Sequence, residues 1–229
     1  MTWLCVYTPQ KIRILKNSIY IGDYDLLEYP YCEKCGSPGV LTENCLLKNW
    51  VYGFNRVYAM GKYYSRYMDP YPLLSSHIKK LKDFHREEFA IPLGYALYGL
   101  LKHKYPNLLE ANYIIPVPAH EDKVRKRGFN QVELISQNLS EISTLRQLLC
   151  LKQVKNIEMR GQGLEERYEE VKGAFELIPM YRNEIKGSYV LLLDDVVTTG
   201  ATASECSKVL LENGVRKIDV LTCGRNVLE

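Results

Sequence analysis

Two adjacent acids, Asp194 and Asp195, stand at the end of the apolar run Val190, Leu191, Leu192, Leu193. Small and hydroxylated residues follow: Thr198, Thr199, Gly200, Ala201 and Thr202. A buried strand would deliver the two carboxylates at its carboxyl end, where open α/β sheets bind their ligands. A tight turn and the start of a helix would come next. Gly200 lets the backbone approach a ligand closely, and free amides with Thr hydroxyls form a cradle for a monophosphate. Carboxylates beside such a cradle suit a sugar phosphate. The acids would accept from ribose hydroxyls, and the amides would hold the 5′-phosphate. A Thr-capped helix beside two solvated acids is the plainer reading, but the acids, the Gly and three Thr all fall in place for the ligand.

A second cluster lies upstream. Ile114, Ile115, Pro116 and Val117 lead to Pro118 and Ala119, then to Lys123, Arg125, Lys126 and Arg127, then to Gly128, Phe129, Asn130 and Gln131. Between His120 and Gln131 there are four cations and two acids. A strand-end loop followed by cations suits a pyrophosphate, whose charges favour Arg and Lys donors; a solvated basic loop is the alternative. Cys32, Glu33, Lys34, Cys35 and Gly36 form a knuckle-type turn, two thiols three positions apart with a Gly for the return, and Cys45 lies ten residues on. His77, His85, His103 and His120 lack a paired nucleophile or metal-ligand spacing and read as surface residues. Tyr63, Tyr64, Tyr67 and Tyr71 could stack bases, although packing is the more frequent fate of tyrosines.

The elements that must position these groups follow from periodicity. Residues 1–60 are rich in Tyr, Cys and Gly with short strand-like pieces, and read as a cysteine-containing, zinc-knuckle-like module. Residues 61–111 read as a mainly helical connector, with Ile91, Leu93, Leu97, Leu100 and Leu101 at roughly helical spacing. From 112 to 229 strands and helices alternate. Residues 113–117, 148–154, 174–178, 188–193 and 217–222 read as strands. Val132, Ile135, Leu139 and Ile142 mark one helix. Ala203, Cys206, Val209 and Leu210 mark another, closed by Asn213 and Gly214. Apolar strands alternating with helices imply α/β architecture: a parallel sheet with helices on both faces.

Composition narrows the function classes. The 229 residues are 46% hydrophobic and 25% charged, as in ordinary folded domains, which excludes a disordered tail, a fibre and a coiled coil. No apolar run approaches the roughly twenty residues that span a bilayer. Met1, Thr2, Trp3, Leu4 and Cys5 do not open a signal peptide, so the expectation is a cytoplasmic protein. The net charge of +3 is too small to argue for nucleic-acid binding, and residues 1–60, with six cations and five acids, carry no basic stripe. Seven cysteines argue against a disulfide framework.

The motifs together resemble a known family. The stretch from Asp194 to Thr202 is similar to the phosphoribosyl-pyrophosphate (PRPP) motif of type I phosphoribosyltransferases. Joined to Pro116, Val117 and Pro118, and to Arg127 through Gln131, it resembles the ComF/GntX family of phosphoribosyltransferase-like proteins. Lys172 to Phe175, Phe54 to Arg56 and Ile78 to Leu81 resemble further family segments. The resemblance implies the type I phosphoribosyltransferase fold and a PRPP-dependent transfer to a nitrogenous acceptor, with Mg²⁺ accompanying PRPP. It implies that Asp194 and Asp195 face the ribose hydroxyls, that residues 198–202 hold the 5′-phosphate, and that Pro118, Ala119 and Arg127 take the pyrophosphate. It offers Lys80 as a substrate-reaching lysine, and dimers are usual in the superfamily. Purine-salvage members often carry an Asp where Thr198 stands, and a Thr hydroxyl cannot serve as a general base at neutral pH. The family's fourth knuckle cysteine is replaced by Lys48. Family N-terminal cysteines point instead to Cys5, giving Cys5, Cys32, Cys35 and Cys45 as a structural Zn²⁺ set. The family's lid segment is shortened here to Gln162, Leu164 and Arg167. Two further readings are a nucleic-acid-handling adaptor of DNA uptake and a PRPP-sensing regulator without turnover.

Overall fold

The structure, a computed structural model, describes residues 3–8, 10–16, 19–27, 31–32, 34–37, 42–44, 53–66, 70–157 and 164–226. Of the sequence-derived candidates, Cys45, Tyr67 and Gln162 lie outside these residues, as does the side chain of Cys5.

The chain opens with an antiparallel meander of β1 (Trp3–Tyr7), β2 (Lys11–Lys16) and β3 (Ile19–Asp25). Next come β4 (Val57–Tyr63), α1 (Leu73–Lys82), α2 (Ala90–Lys104), β5 (Tyr113–Pro116), α3 (Glu121–Arg127) and α4 (Gln131–Ile142). The short strands β6 (Arg146–Gln147) and β7 (Leu151–Gln153), α5 (Leu164–Val171), β8 (Phe175–Leu177) and α6 (Arg182–Ile185) follow. The chain ends in β9 (Tyr189–Val197), α7 (Ala201–Glu212) and β10 (Lys217–Asn226).

A five-stranded parallel sheet in the order β4-β10-β9-β5-β6 organises the molecule. Its central strands β5 and β9 are apolar over residues 113–116 and 189–193 because both faces are covered there. Leu191 and Leu193 of β9, with Ile114, Leu221 and Cys223, face a core built on α2 and α4. Val190 and Leu192, with Ile115, Ile218 and Val220, face a second core against α7 and α6. Period-two alternation along each strand thus feeds two hydrophobic layers, and fully burying one such leucine stabilises the fold by roughly 1.5–3 kcal/mol. The expected parallel α/β architecture is therefore present.

The expected boundaries are less clean. The division at residue 60 falls inside β4, which pairs along β10 as the sheet's edge. The meander is also not set apart: Ile12, Ile14 and Tyr24 share one core with Leu93 and Leu97 of α2. The strand-like stretches near 148–154 and 174–178 form a separate two-stranded antiparallel pair, β7 with β8, rather than joining the central sheet. His77 is a correction. The sequence reads it as a surface residue, but it is buried, with Nδ1 2.5 Å from the Tyr24 hydroxyl. It lies on the inner side of α1 with Leu74, Ile78 and Leu81, and burial pushes its pKa down to about 4. Among the described residues no helix is long and apolar enough to cross a membrane.

Candidate functional site

At the carboxyl ends of β9 and β5 the sheet opens into a cleft with two adjoining lobes. One, of about 200 Å³, is lined by Tyr63, Lys82, Arg167, Asp194, Asn226 and residues 196–203. The other, of about 230 Å³, is lined by Val117, Pro118, Ala119, Lys123, Arg127, Gln131, Asp195 and neighbours. Lys82, Asp194, Val196 and Thr202 border both. The cleft therefore gathers Asp194, Asp195, Thr198, Thr199, Gly200, Ala201, Thr202, Pro118, Ala119 and Arg127, all of the residues expected to bind the sugar phosphate and pyrophosphate.

The first lobe is built around one turn, residues 196–203, with Lys82 and Arg167 at its side. Gly200 has φ of 84°, the left-handed conformation that a side-chain-bearing residue adopts only at a cost. This turn ends β9 and starts α7; Gly200 itself offers no side-chain cap, and Thr199 Oγ1 accepts from the Ala201 amide at 3.4 Å. The orphan amides of a helix start favour an anion.

The second lobe is made of side chains, and the Arg127 to Gln131 stretch has a division of labour. Gly128, at φ of 91°, closes α3 in the left-handed conformation. Asn130 caps α4 by accepting from the Val132 amide and donates to the Val117 carbonyl at 3.2 Å. That bond ties the Val117 loop to the second helix, and Val117 itself is held to the sheet through the Leu193 carbonyl. Gln131 accepts from Arg127 Nη1 and donates to Asp195 Oδ2 at 3.0 Å. Arg127 Nε is buried with no partner among the described residues, a donor left over for a ligand.

The two acids differ in environment. Asp195 is 5% exposed. Its Oδ2 lies 3.6 Å from Lys82 Nζ, and its Oδ1 accepts from the Val196 amide at 2.7 Å. Burial works to raise its pKa, but Lys82, Gln131 and the Val196 amide outweigh that and hold it below the usual carboxylate range. Asp194 has the opposite balance: burial and the neighbouring charge of Asp195 push it up to about 8. Two carboxylates this close do not both ionise cheaply, so the proton the pair retains as pH rises sits on Asp194 and the negative charge on Asp195. Asp195, then burial's opposing effect, and Asp194 set Lys82, whose pKa is raised overall.

The sequence pointed to Lys80, but that residue is exposed and lies over the Phe89 ring, 5.0 Å from its centroid. The lysine in the cleft is Lys82. Helical spacing could have found it: Lys82 follows the buried Ile78 by four residues and so shares its face, whereas Lys80, two residues on, points away. Tyr63, one of the four candidate tyrosines, also lines the first lobe. In the shortened lid segment, Arg167 lies on α5 and reaches the first lobe.

The cysteine turn is partly described. Cys32 and Cys35 are buried, and the turn is closed by the Gly36 amide on the Cys32 carbonyl at 2.7 Å and the Cys32 amide on the Ser37 carbonyl at 2.9 Å. Gly36 takes φ of 73°. Among the described residues no three His, Cys, Asp or Glu side chains converge on a common metal position.

Comparisons with known proteins agree with this picture in part. Competence protein F of Haemophilus influenzae is 32% identical over 228 residues, covering 94% of both chains. DNA utilization protein YhgH of Escherichia coli K12 is 30% identical over 161 residues, 65% of this chain and 66% of that protein. Competence protein ComFC of Bacillus subtilis is 29% identical over 101 residues, 44% of this chain and 39% of that protein. No family model matches. Among solved structures, a glutamine PRPP amidotransferase from B. subtilis covers 96% of this chain and 37% of its own, with a TM-score of 0.38 and 14% identity, a likeness that carries no argument.

Proposed function

This chain belongs to the ComF family, and from that premise and its cleft we propose that it is a PRPP-binding phosphoribosyltransferase with the type I fold. One observation carries the reading: two adjoining lobes, one around the turn of residues 196–203 and one holding Lys123 and Arg127, meet at Asp194, with Asp195 lining the second. PRPP has that order of groups, a 5′-phosphate, a diol-bearing ribose and a pyrophosphate. Residues 198–202 hold the 5′-phosphate. Asp194 and Asp195 accept from the ribose hydroxyls and face the positive charge that develops on the anomeric carbon as pyrophosphate departs, a state like that of glycosyl transfer. Arg127, with Pro118 and Ala119 shaping the loop, takes the charge of the leaving group. The bond from the anomeric carbon to pyrophosphate breaks, a bond to an acceptor nitrogen forms, and that nitrogen loses its proton.

Mg²⁺ would supply charge neutralisation between ribose and pyrophosphate oxygens and would keep several waters. The donors fit an ion carried by the ligand: Asp194 borders both lobes, whereas Asp195 is already committed to Lys82 and Gln131. Structural Zn²⁺ on Cys5, Cys32, Cys35 and Cys45 is part of the same proposal. The buried turn of Cys32 and Cys35 supplies two thiols in a knuckle conformation, and metal analysis of the purified protein tests the set.

Pyrophosphate release from Mg²⁺ and PRPP, measured over a panel of nitrogenous acceptors, tests the transferase. Tight PRPP binding with no release on any acceptor would replace it with a PRPP sensor. The names of the relatives, competence and DNA utilization proteins, favour a second reading in which the same cleft serves a nucleic-acid-handling adaptor. Single-strand binding that falls steeply with salt would support that reading.

A further inference from the structure

Arg225, near the end of β10, is 1% exposed and is the largest fully buried side chain among the described residues. Among the described residues it meets no carboxylate. Its Nη1 donates to the Val197 carbonyl at 2.8 Å and to the Thr198 carbonyl, and its Nη2 donates to Ser37 Oγ at 2.9 Å. Its Nε has no hydrogen-bond partner among the described residues. A buried cation held only by neutral oxygens is costly, so its place beneath a loop argued to bind a dianion calls for an account.

The geometry of the peptide unit supplies one. In a trans peptide the carbonyl and the following N–H point in opposite directions. Drawing the Val197 and Thr198 carbonyls to one guanidinium turns the Thr198 and Thr199 amides away from it, to the side that lines the first lobe. The third contact fixes the clamp from the other side of the molecule. Ser37 closes the cysteine turn, with its Oγ 3.1 Å from Cys35 Sγ. Gly36 lies against the arginine stem, where a Cβ would come within 3.6 Å of Arg225 Cδ.

We propose that Arg225 is a positioning residue: it clamps the carbonyl side of the phosphate loop so that the amide side faces the ligand, it leaves a buried positive charge for the phosphate to complement, and it anchors the loop to the turn of Cys32 and Cys35. The proposal rests on the reading of residues 198–202 as the 5′-phosphate site and adds a residue that never touches the ligand.

The test compares two probes on the full chain by calorimetry: ribose 5-phosphate for the first lobe, and pyrophosphate with magnesium for the second. Arg225→Met is expected to weaken ribose 5-phosphate about tenfold or more while pyrophosphate changes by less than about twofold. Arg225→Lys, which keeps the charge but not the fork, loses less, and Ser37→Ala weakens ribose 5-phosphate about threefold. A general structural role would weaken both probes together, so the ratio of the two affinities is the readout. If Arg225→Met does not fold, Arg225→Lys and Ser37→Ala decide by the same ratio. Folded variants with an unchanged ratio overturn the proposal and leave the PRPP reading standing. A wild-type chain that binds neither PRPP nor ribose 5-phosphate removes the PRPP reading, and the proposal with it.

Discussion

The two lobes of the cleft are built by opposite means. The first is built around one contiguous turn, residues 196–203, shaped by the left-handed Gly200 at the start of α7, with Lys82 and Arg167 beside it. The second is assembled from side chains on a loop, on α1, α3 and α4 and on β9, relayed from Arg127 through Gln131 to Asp195 and Lys82. Backbone-built sites depend on conformation and tolerate many side chains so long as the turn survives. Side-chain-built sites depend on identity and charge at each position. Mutations should therefore separate the lobes cleanly.

The largest effect is expected where the lobes meet. The double substitution Asp194→Asn, Asp195→Asn removes both acceptors for the diol and should weaken PRPP at least about a hundredfold by calorimetry; wild-type affinity in that variant would break the account of both lobes at once. The separation itself comes next. Gly200→Val forces a β-branched residue to positive φ and should cost ribose 5-phosphate about tenfold while sparing pyrophosphate. Arg127→Met should reverse the pattern by about the same factor. Parallel losses in both variants would mean one undivided site.

Smaller effects sharpen the contrast between the acids. Asp194 titrates higher in the folded chain, near 8, than in the unfolded one. The native state therefore keeps a proton that the unfolded chain gives up above about pH 4. The stability this provides is present at low pH and is lost as pH rises towards 8. Asp194→Asn has no such dependence, so its melting temperature relative to wild type should climb between pH 5 and 8. A constant offset would contradict the raised acid. Least of all, Lys80→Ala should leave PRPP affinity within about twofold, because an exposed lysine over Phe89 contributes little there; a larger loss would return Lys80 to the cleft in place of Lys82.

The same contrast explains what could be read in the sequence. The first lobe is local, so apolar strand, acids, Gly and Thr sit in one string whose chemistry is visible residue by residue. The alternating strands and helices were visible for the same reason: each element carries its own period. The second lobe is only half local. Arg127 and Gln131 stand in a motif, but Lys82 comes from α1, more than a hundred residues from Asp195, and nothing beyond its helical face marks it. Arg225 was illegible because its partners, Ser37 and the Val197 and Thr198 carbonyls, are joined only by the fold. The boundary drawn at residue 60 cuts through β4 because a strand edge pairs through backbone, which composition does not record. His77 lies three residues after Leu74 and four before Leu81, so helical spacing places it on the inner face; the surface reading considered only its missing nucleophile or metal partner.

The most direct measurement is titration calorimetry of the full chain with PRPP and Mg²⁺, beside the Asp194→Asn, Asp195→Asn variant. The account predicts saturable one-site heat for the wild type and its loss in the variant. No heat from the wild type, or equal heat from both, would contradict it.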